Sequence, residues 1–289
     1  MHPARSIILF TTLSGAGFGL LAWLGLGFGP SFRWAGFVMY VIGFALAGAG
    51  LIASTFHLGH PERALKAFTQ WRSSWLSREA VLATITFALL GLHVLLSLFG
   101  SPVGLLGIFG GLLALVTVFA TSMIYMSLRT VPRWNHWSPP VVFLTYALTA
   151  GALLSGNVTA AGIFFVALGV IQIAAWVDSD RRDRTSDSDM ATATGLGDRG
   201  TVRAFESPHT GENYLTQEMV FRVGRKHATK LRVIAAILAA GVPFIILTAL
   251  PFTHVLVVVA ILSHLAGAYV SRWLFFAEAR HVVGLYYGR

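Results

Sequence analysis

Eight long apolar stretches, separated by short runs rich in polar residues, glycine and proline, account for most of the chain. They cover residues 6–28, 34–56, 79–99, 104–128, 139–155, 158–177, 231–250 and 253–277. Each approaches the roughly 20 apolar residues that a helix needs to cross a hydrocarbon layer. Turn signals divide them at Gly29-Pro30, Gly100-Ser101-Pro102 and Pro251. The fifth and sixth stretches are parted only by Gly156-Asn157, so a single long span, giving seven helices, is the alternative there. The first stretch exceeds the length of a signal-peptide core and has no Ala-x-Ala cleavage site after it, which predicts an uncleaved first span. The pattern predicts an all-α, polytopic integral membrane bundle of eight helices, one domain over residues 1–289.

Composition agrees. Apolar residues make up 55% of the 289, and 11% are charged, against about a quarter in soluble domains. A soluble enzyme of this length would have too little charge to cover itself. The absence of cysteine excludes disulfides, thiolate nucleophiles and cysteine-bound zinc or iron–sulfur clusters.

Charge placement tests the eight-helix map. If helix ends alternate between two sides, 20 of the 21 Lys and Arg fall on one side and Arg33 alone on the other. A seven-helix map strands Arg272, Arg280 and Arg289 across the membrane from the rest. The positive-inside rule then predicts both termini in the cytoplasm, and reads the net charge of +9 as orientation rather than as nucleic-acid binding. Small residues at one-turn spacing, Gly15, Gly17 and Gly19 with Gly43, Ala47 and Gly50, predict close packing of the first two helices.

Two polar segments remain. Residues 178–230 form a long loop between helices 6 and 7, carrying nine acidic and nine basic residues. It reads either as a solvated loop or as a docking surface that orders against a partner, with a short interfacial helix possible over 214–230. The second, residues 57–79, is denser in chemistry. His57 closes helix 2, Ser74 or Ser77 can cap helix 3, and Glu79 opens it. Each of the pair alone complements a helix dipole. Together, beside Arg63, Trp71, Arg72, Trp75 and Arg78, they offer what a quinone needs at a membrane edge: a carbonyl partner, aromatic walls and a proton donor in contact with water. Two other histidines invite a haem, but His93 and His264 lie at unequal depths, about 9 and 16 Å from the far ends of their helices at 1.5 Å per residue. Ordinary hydrogen bonding inside the membrane is the simpler reading for them. A transporter would place charges at mid-span, where none is predicted.

Several motifs carry a resemblance. Met1-His2-Pro3-Ala4 with Phe10-Thr11-Thr12-Leu13-Ser14, Ser54-Thr55-Phe56-His57-Leu58-Gly59-His60-Pro61-Glu62-Arg63, and Trp71-Arg72-Ser73-Ser74-Trp75-Leu76-Ser77-Arg78-Glu79 resemble the membrane anchors of dimethyl sulfoxide reductase-type molybdenum enzymes. So do Met123-Ile124-Tyr125, Val131-Pro132-Arg133-Trp134 and Phe275-Phe276-Ala277-Glu278. Within that family the likeness is greatest to anchors of the cytoplasm-facing sulfite dehydrogenases. The resemblance implies an eight-helix subunit of the bacterial cytoplasmic membrane without its own metal. Such a subunit holds a four-cluster iron–sulfur subunit and a molybdopterin catalytic subunit, and exchanges electrons with ubiquinone or menaquinone. It implies quinone-site roles for His57 and Glu79; Ser14 and Tyr125 lie in its motifs and join the candidates. The predicted cytoplasmic side favours the sulfite-oxidising branch over a quinol-oxidising dimethyl sulfoxide reductase. No file of ionisable residues is predicted to cross the bundle, so turnover is expected to move no net charge.

Overall fold

The computed structural model describes residues 1–289 other than 31–32, 57–59, 207–208, 212, 221–226 and 288–289. Among the described residues it is helical throughout, with no strand. The long helices are α1 (Arg5–Gly25), α2 (Arg33–Thr55), α3 (Trp75–Leu98), α4 (Gly104–Met126), α5 (Ser138–Leu154), α6 (Val158–Arg184), α7 (Ala228–Ala249) and α8 (His254–Ala277). Seven of them are long and apolar enough to cross a membrane; α5, with 17 residues, is shorter.

The fifth and sixth stretches are two helices and not one. Gly156 takes a φ of +78°, a conformation that costs glycine nothing, and Asn157 caps the next helix by accepting from the Ala160 amide at 3.2 Å. The backbone doubles back, and Thr149 Oγ1 donates across the hairpin to the Phe164 carbonyl at 3.3 Å.

α1 is the central helix, and its glycines explain why. A Cβ on Gly17 would strike the backbone of Ala47 in α2, one on Gly19 the carbonyl of Ala147 in α5, and one on Gly25 the Gly107–Gly111 turn of α4. Three helices thus approach α1 backbone to backbone. The predicted α1–α2 seam holds for Gly17, Gly43, Ala47 and Gly50, whereas Gly19 serves α5 and Gly15 touches nothing. Trp23 reinforces the α5 contact by donating from Nε1 to the Leu148 carbonyl at 3.0 Å.

α7 contains a π-helical turn at Ile237–Gly241, just before Pro243. Proline has no N–H for the Ala239 carbonyl four residues back, and α8 supplies the missing donor. His264 Nδ1 lies 2.7 Å from that carbonyl, and Ser263 Oγ donates to the Leu238 carbonyl at 2.9 Å. A carbonyl can only accept, so Nδ1 carries the proton.

The polar segments gather at one end. α6 does not stop at Val177, where its apolar window ends, but continues to Arg184. Arg181, Arg182 and Arg184 favour its carboxyl end, and the acidic side chains on the same turns find partners from three other elements. Arg133 reaches Asp180 at 2.7 Å and Glu278 at 3.1 Å; Arg232 reaches Asp180 at 2.6 Å and Glu278 at 2.8 Å; Arg280 meets Asp183 at 3.3 Å. The rest of the 178–230 segment is more structured than a solvated loop. Asp189 opens a helical turn at Met190–Thr194 with a capping box, and the Thr192 amide and hydroxyl hold its carboxyl below the usual carboxylate range. Tyr286 Oη donates to the Ala193 carbonyl at 2.7 Å, and Asn213 Nδ2 donates to Tyr287 Oη at 3.1 Å. Within 214–230, where a short interfacial helix is expected, the described residues form one π-helical turn, Leu215–Met219, and the start of α7 from Ala228. The N-terminal amine donates to the Ala279 carbonyl at 2.6 Å, so the start of the protein meets the end of α8 here.

Candidate functional site

Between α2 and α3 a 3-10 run, Pro61–Phe68, leads into a turn that ends at Ser74, extended in the N-cap position of α3 without a side-chain bond. Ser77 does not cap either. Its Oγ accepts from the Gln70 amide at 3.2 Å and donates to the Ala67 carbonyl, binding the connection down onto the helix. Arg78 completes the clasp, donating from Nε to the Trp71 carbonyl at 3.0 Å and from a terminal nitrogen to the Arg72 carbonyl at 2.7 Å. The helix begins at Trp75, as the Ser74 alternative for the cap position requires and four residues before the apolar window opens at Glu79; these bonds fold the connection firmly enough to define its first turn.

Arg78 lies over the Trp75 ring, 4.3 Å from its centroid, and Trp75 meets Phe119 of α4 edge to face at 6.1 Å. One turn further in is Glu79, 3% exposed. The sequence places it in contact with water; in the structure Thr121 Oγ1 of α4 donates to its Oε1 inside the α3–α4 interface. A buried carboxyl needs such a partner. A carboxyl one turn from the polar end, under an aromatic wall that is partly exposed, fits a group that must bond a quinone oxygen and pass it a proton.

The other candidates divide. Trp71 and Arg72 are exposed and stack on one another at 5.5 Å, and Arg63 is exposed on the 3-10 run. Tyr125 is buried among Trp134, Phe143, Phe275 and Phe276, with ring centroids 5.3–5.7 Å away. Ser14 is spent on structure: its Oγ donates to the Phe10 carbonyl at 2.6 Å where Gly50 packs against it. His57 lies outside the described residues.

His93 and His264 do not form a pair. His93 Nδ1 sits 3.0 Å from the Val103 carbonyl, its ring against Tyr40, while His264 packs on Phe165 and Tyr146 in the other half of the core. Among the described residues no group of three His, Cys, Asp or Glu comes together to hold a metal.

One buried charge has no signal in the sequence. Arg272, placed by its position at the polar edge, turns inward and is 3% exposed, with its guanidinium 3.5 Å from the Phe143 ring centroid and 5.1 Å from that of Tyr146. Nothing in the residues around it distinguishes an inward from an outward arginine.

Known proteins similar to this one follow the same lines. A family model described as the DMSO reductase anchor subunit (DmsC) matches residues 1–288. The C subunit of the sulfite dehydrogenase of Allochromatium vinosum is 32% identical over 99% of this protein and 99% of its own length. The YnfH protein of an anaerobic dimethyl sulfoxide reductase of Escherichia coli is 34% identical over 41% of each sequence. The C polypeptide of the anaerobic dimethyl sulfoxide reductase of the same organism is 37% identical over 35% of this protein and 37% of its own length. No solved structure matches.

Proposed function

The chain belongs to the dimethyl sulfoxide reductase anchor-subunit family, and we propose that it is the quinone-reducing membrane subunit of a sulfite-oxidising molybdoenzyme. Eight helices cross the bacterial cytoplasmic membrane, with the polar end of the bundle in the cytoplasm. There the protein anchors a four-cluster iron–sulfur subunit and a molybdopterin subunit, takes electrons from the former and gives them to ubiquinone or menaquinone. The Lys and Arg asymmetry supports the sidedness, and α5, though short, is apolar and paired with α6. The lack of cysteine here supports clusters housed in a partner.

The observation that carries the quinone reading is Glu79, a carboxyl buried against Thr121 one turn from the polar end, with the Arg78-covered ring of Trp75 one turn before it on α3. His57 completes the proposed site as the second partner for the quinone oxygens. Trp71, Arg72 and Arg63 stand on the exposed connection beside it, where the iron–sulfur subunit would dock within electron-transfer distance. The sulfite branch rests on coverage: similarity to the sulfite dehydrogenase subunit runs end to end, while that to the dimethyl sulfoxide reductase polypeptides covers about two fifths or less.

The test is purification of the tagged protein from its native membrane and assay of sulfite-dependent reduction of a short-chain quinone. A molybdopterin protein and an iron–sulfur protein should co-purify. Glu79→Gln and His57→Ala should leave the complex assembled and lower quinone reduction by at least about 100-fold, the low end of what a positioned proton donor contributes. Parental rates in both variants would overturn the site. Isolation of the protein without redox partners would overturn the role.

A further inference from the structure

Arg272 carries a positive charge into the bundle, and among the described residues no carboxylate pairs with it. The carboxylates nearest its end of α8 are engaged elsewhere: Glu278 and Asp180 with Arg133 and Arg232, Asp183 with Arg280. Among the described residues Arg272 makes no hydrogen bond and no ion pair. Its contacts are the rings of Phe143 and Tyr146, 3.5 and 5.1 Å from its Cζ, which attract a cation but supply no full negative charge. An unpaired buried charge is among the most costly groups a fold can hold.

Arg272 lines a cavity between the start of α5, the end of α6 and the end of α8 together with Arg133, Ser138, Gln172, Ser179, Ser271 and Glu278, whose carboxylate oxygens are both taken by Arg133 and Arg232. Ser271 Oγ donates to Gln172 Oε1 at 3.0 Å, which leaves the Gln172 amide N–H groups uncommitted. The space open to small molecules is about 40 Å³. Since one water needs about 10–15 Å³ by this measure, the cavity takes about three or four waters or one small ion, and no headgroup or quinone ring. Two guanidinium groups against one carboxylate, the uncommitted Gln172 amide, neighbouring hydroxyl groups and this size all specify the same occupant.

We propose that Arg272 and this cavity form a binding site for a small monovalent anion of the size of chloride. The anion supplies the counter-charge that no carboxylate among the described residues provides by an ion pair, so it is part of the folded subunit and stabilises it by mass action.

The test uses the purified complex, or the full-length protein in detergent, at constant ionic strength with sodium chloride exchanged for sodium gluconate, whose anion is too large to enter. Tm should rise with the logarithm of chloride concentration and not with gluconate, bromide should substitute, and Arg272→Gln should lose the chloride dependence. Equal melting of the parental protein in chloride and gluconate, or an undiminished chloride shift in Arg272→Gln, would overturn the site. Should that variant fail to fold, radioactive chloride binding to the parental protein decides: about one exchangeable chloride per protein molecule, displaced by bromide, supports the site, and none overturns it.

Discussion

Arg232 holds Glu278 in a fork, donating from Nε to Oε1 at 2.8 Å and from a terminal nitrogen to Oε2 at 2.9 Å, while its remaining donors take both oxygens of Asp180 at 2.6 and 2.8 Å. One guanidinium thereby joins the first turns of α7, the C-cap of α8 and the polar extension of α6. Arg133, brought in by the α4–α5 connection, binds the same two carboxylates from the other side.

Removal of Glu278 leaves two arginines facing one remaining shared carboxylate. Arg133 is itself buried, so the loss resembles breaking a buried pair. Glu278→Ala should lower stability by about 3 kcal/mol, the scale measured when one partner of such a pair is removed, whereas Arg280→Ala, whose side chain is 60% exposed, should cost well under about 1 kcal/mol. Thermal unfolding of the two variants in one detergent checks the contrast.

The α1 seam makes a sharper steric prediction. Gly19→Ala places a methyl group against the Ala147 carbonyl, and backbone has no freedom to step aside as a flexible side group does. Overpacking of this kind costs about 1–3 kcal/mol and should reduce the amount of folded protein in the membrane. Gly15→Ala, one turn earlier with nothing within 4 Å, should be neutral or slightly stabilising because alanine favours helix. Comparable yields and melting points for the two variants would show that the α1–α5 contact is not as close as described.

Most of this architecture can be read from local pattern. Apolar runs of helical length, Gly156-Asn157 as a break, and the glycines of α1 and α2 each act within a few residues of where they are seen. What escapes depends on distant partners. Asp180 and Glu278 read as unrelated surface acids because the arginines that bind them are 46–145 positions away from Glu278 and 47–52 away from Asp180 in the sequence, and only folding joins them. The α6 extension follows from those pairs. The position of Glu79 near the start of its helix is legible, but its burial depends on Thr121, 42 residues on. Whether Arg272 faces in or out depends on Phe143 and Tyr146 in another helix.

His264 offers a test of how an interior histidine is used. Its bond to the Ala239 carbonyl replaces the backbone bond that Pro243 cannot make. His264→Leu should therefore cost about 1–2 kcal/mol, the penalty of a carbonyl left unbonded in apolar surroundings. In a Pro243→Ala background the amide of residue 243 can reach Ala239, and the same substitution should cost less. A double-mutant cycle measures the difference. Strict additivity would separate the histidine from the proline. The visible spectrum of the purified protein should also lack the split α and β bands of a reduced haem, because His264 and His93 occupy different halves of the core.

The last prediction concerns energy coupling. In the proposed function quinone reduction at Glu79 would consume two protons, and Glu79 stands four residues into α3, about 6 Å from the polar end at 1.5 Å per residue. Sulfite oxidation by the proposed partner subunits on that face would release its protons and electrons there. The polar groups that lead deeper, Glu278, Ser271, Gln172, Arg272, Tyr146 and His264, run along α5, α6 and α8 and reach about the middle of α8. This file does not continue to the opposite face. Beyond His264 the first turns of α8 are apolar from Val255 to Ile261, and His254 at the far end is about 15 Å away at the same rise. Electrons and protons thus stay near one face, and turnover should carry no net charge across the bilayer. Vesicles reconstituted with the whole complex, sulfite and a quinone should leave a potential-sensitive dye silent while quinone is reduced. A sustained, uncoupler-sensitive signal would place the proton intake on the opposite face and remove Glu79 from its proposed role.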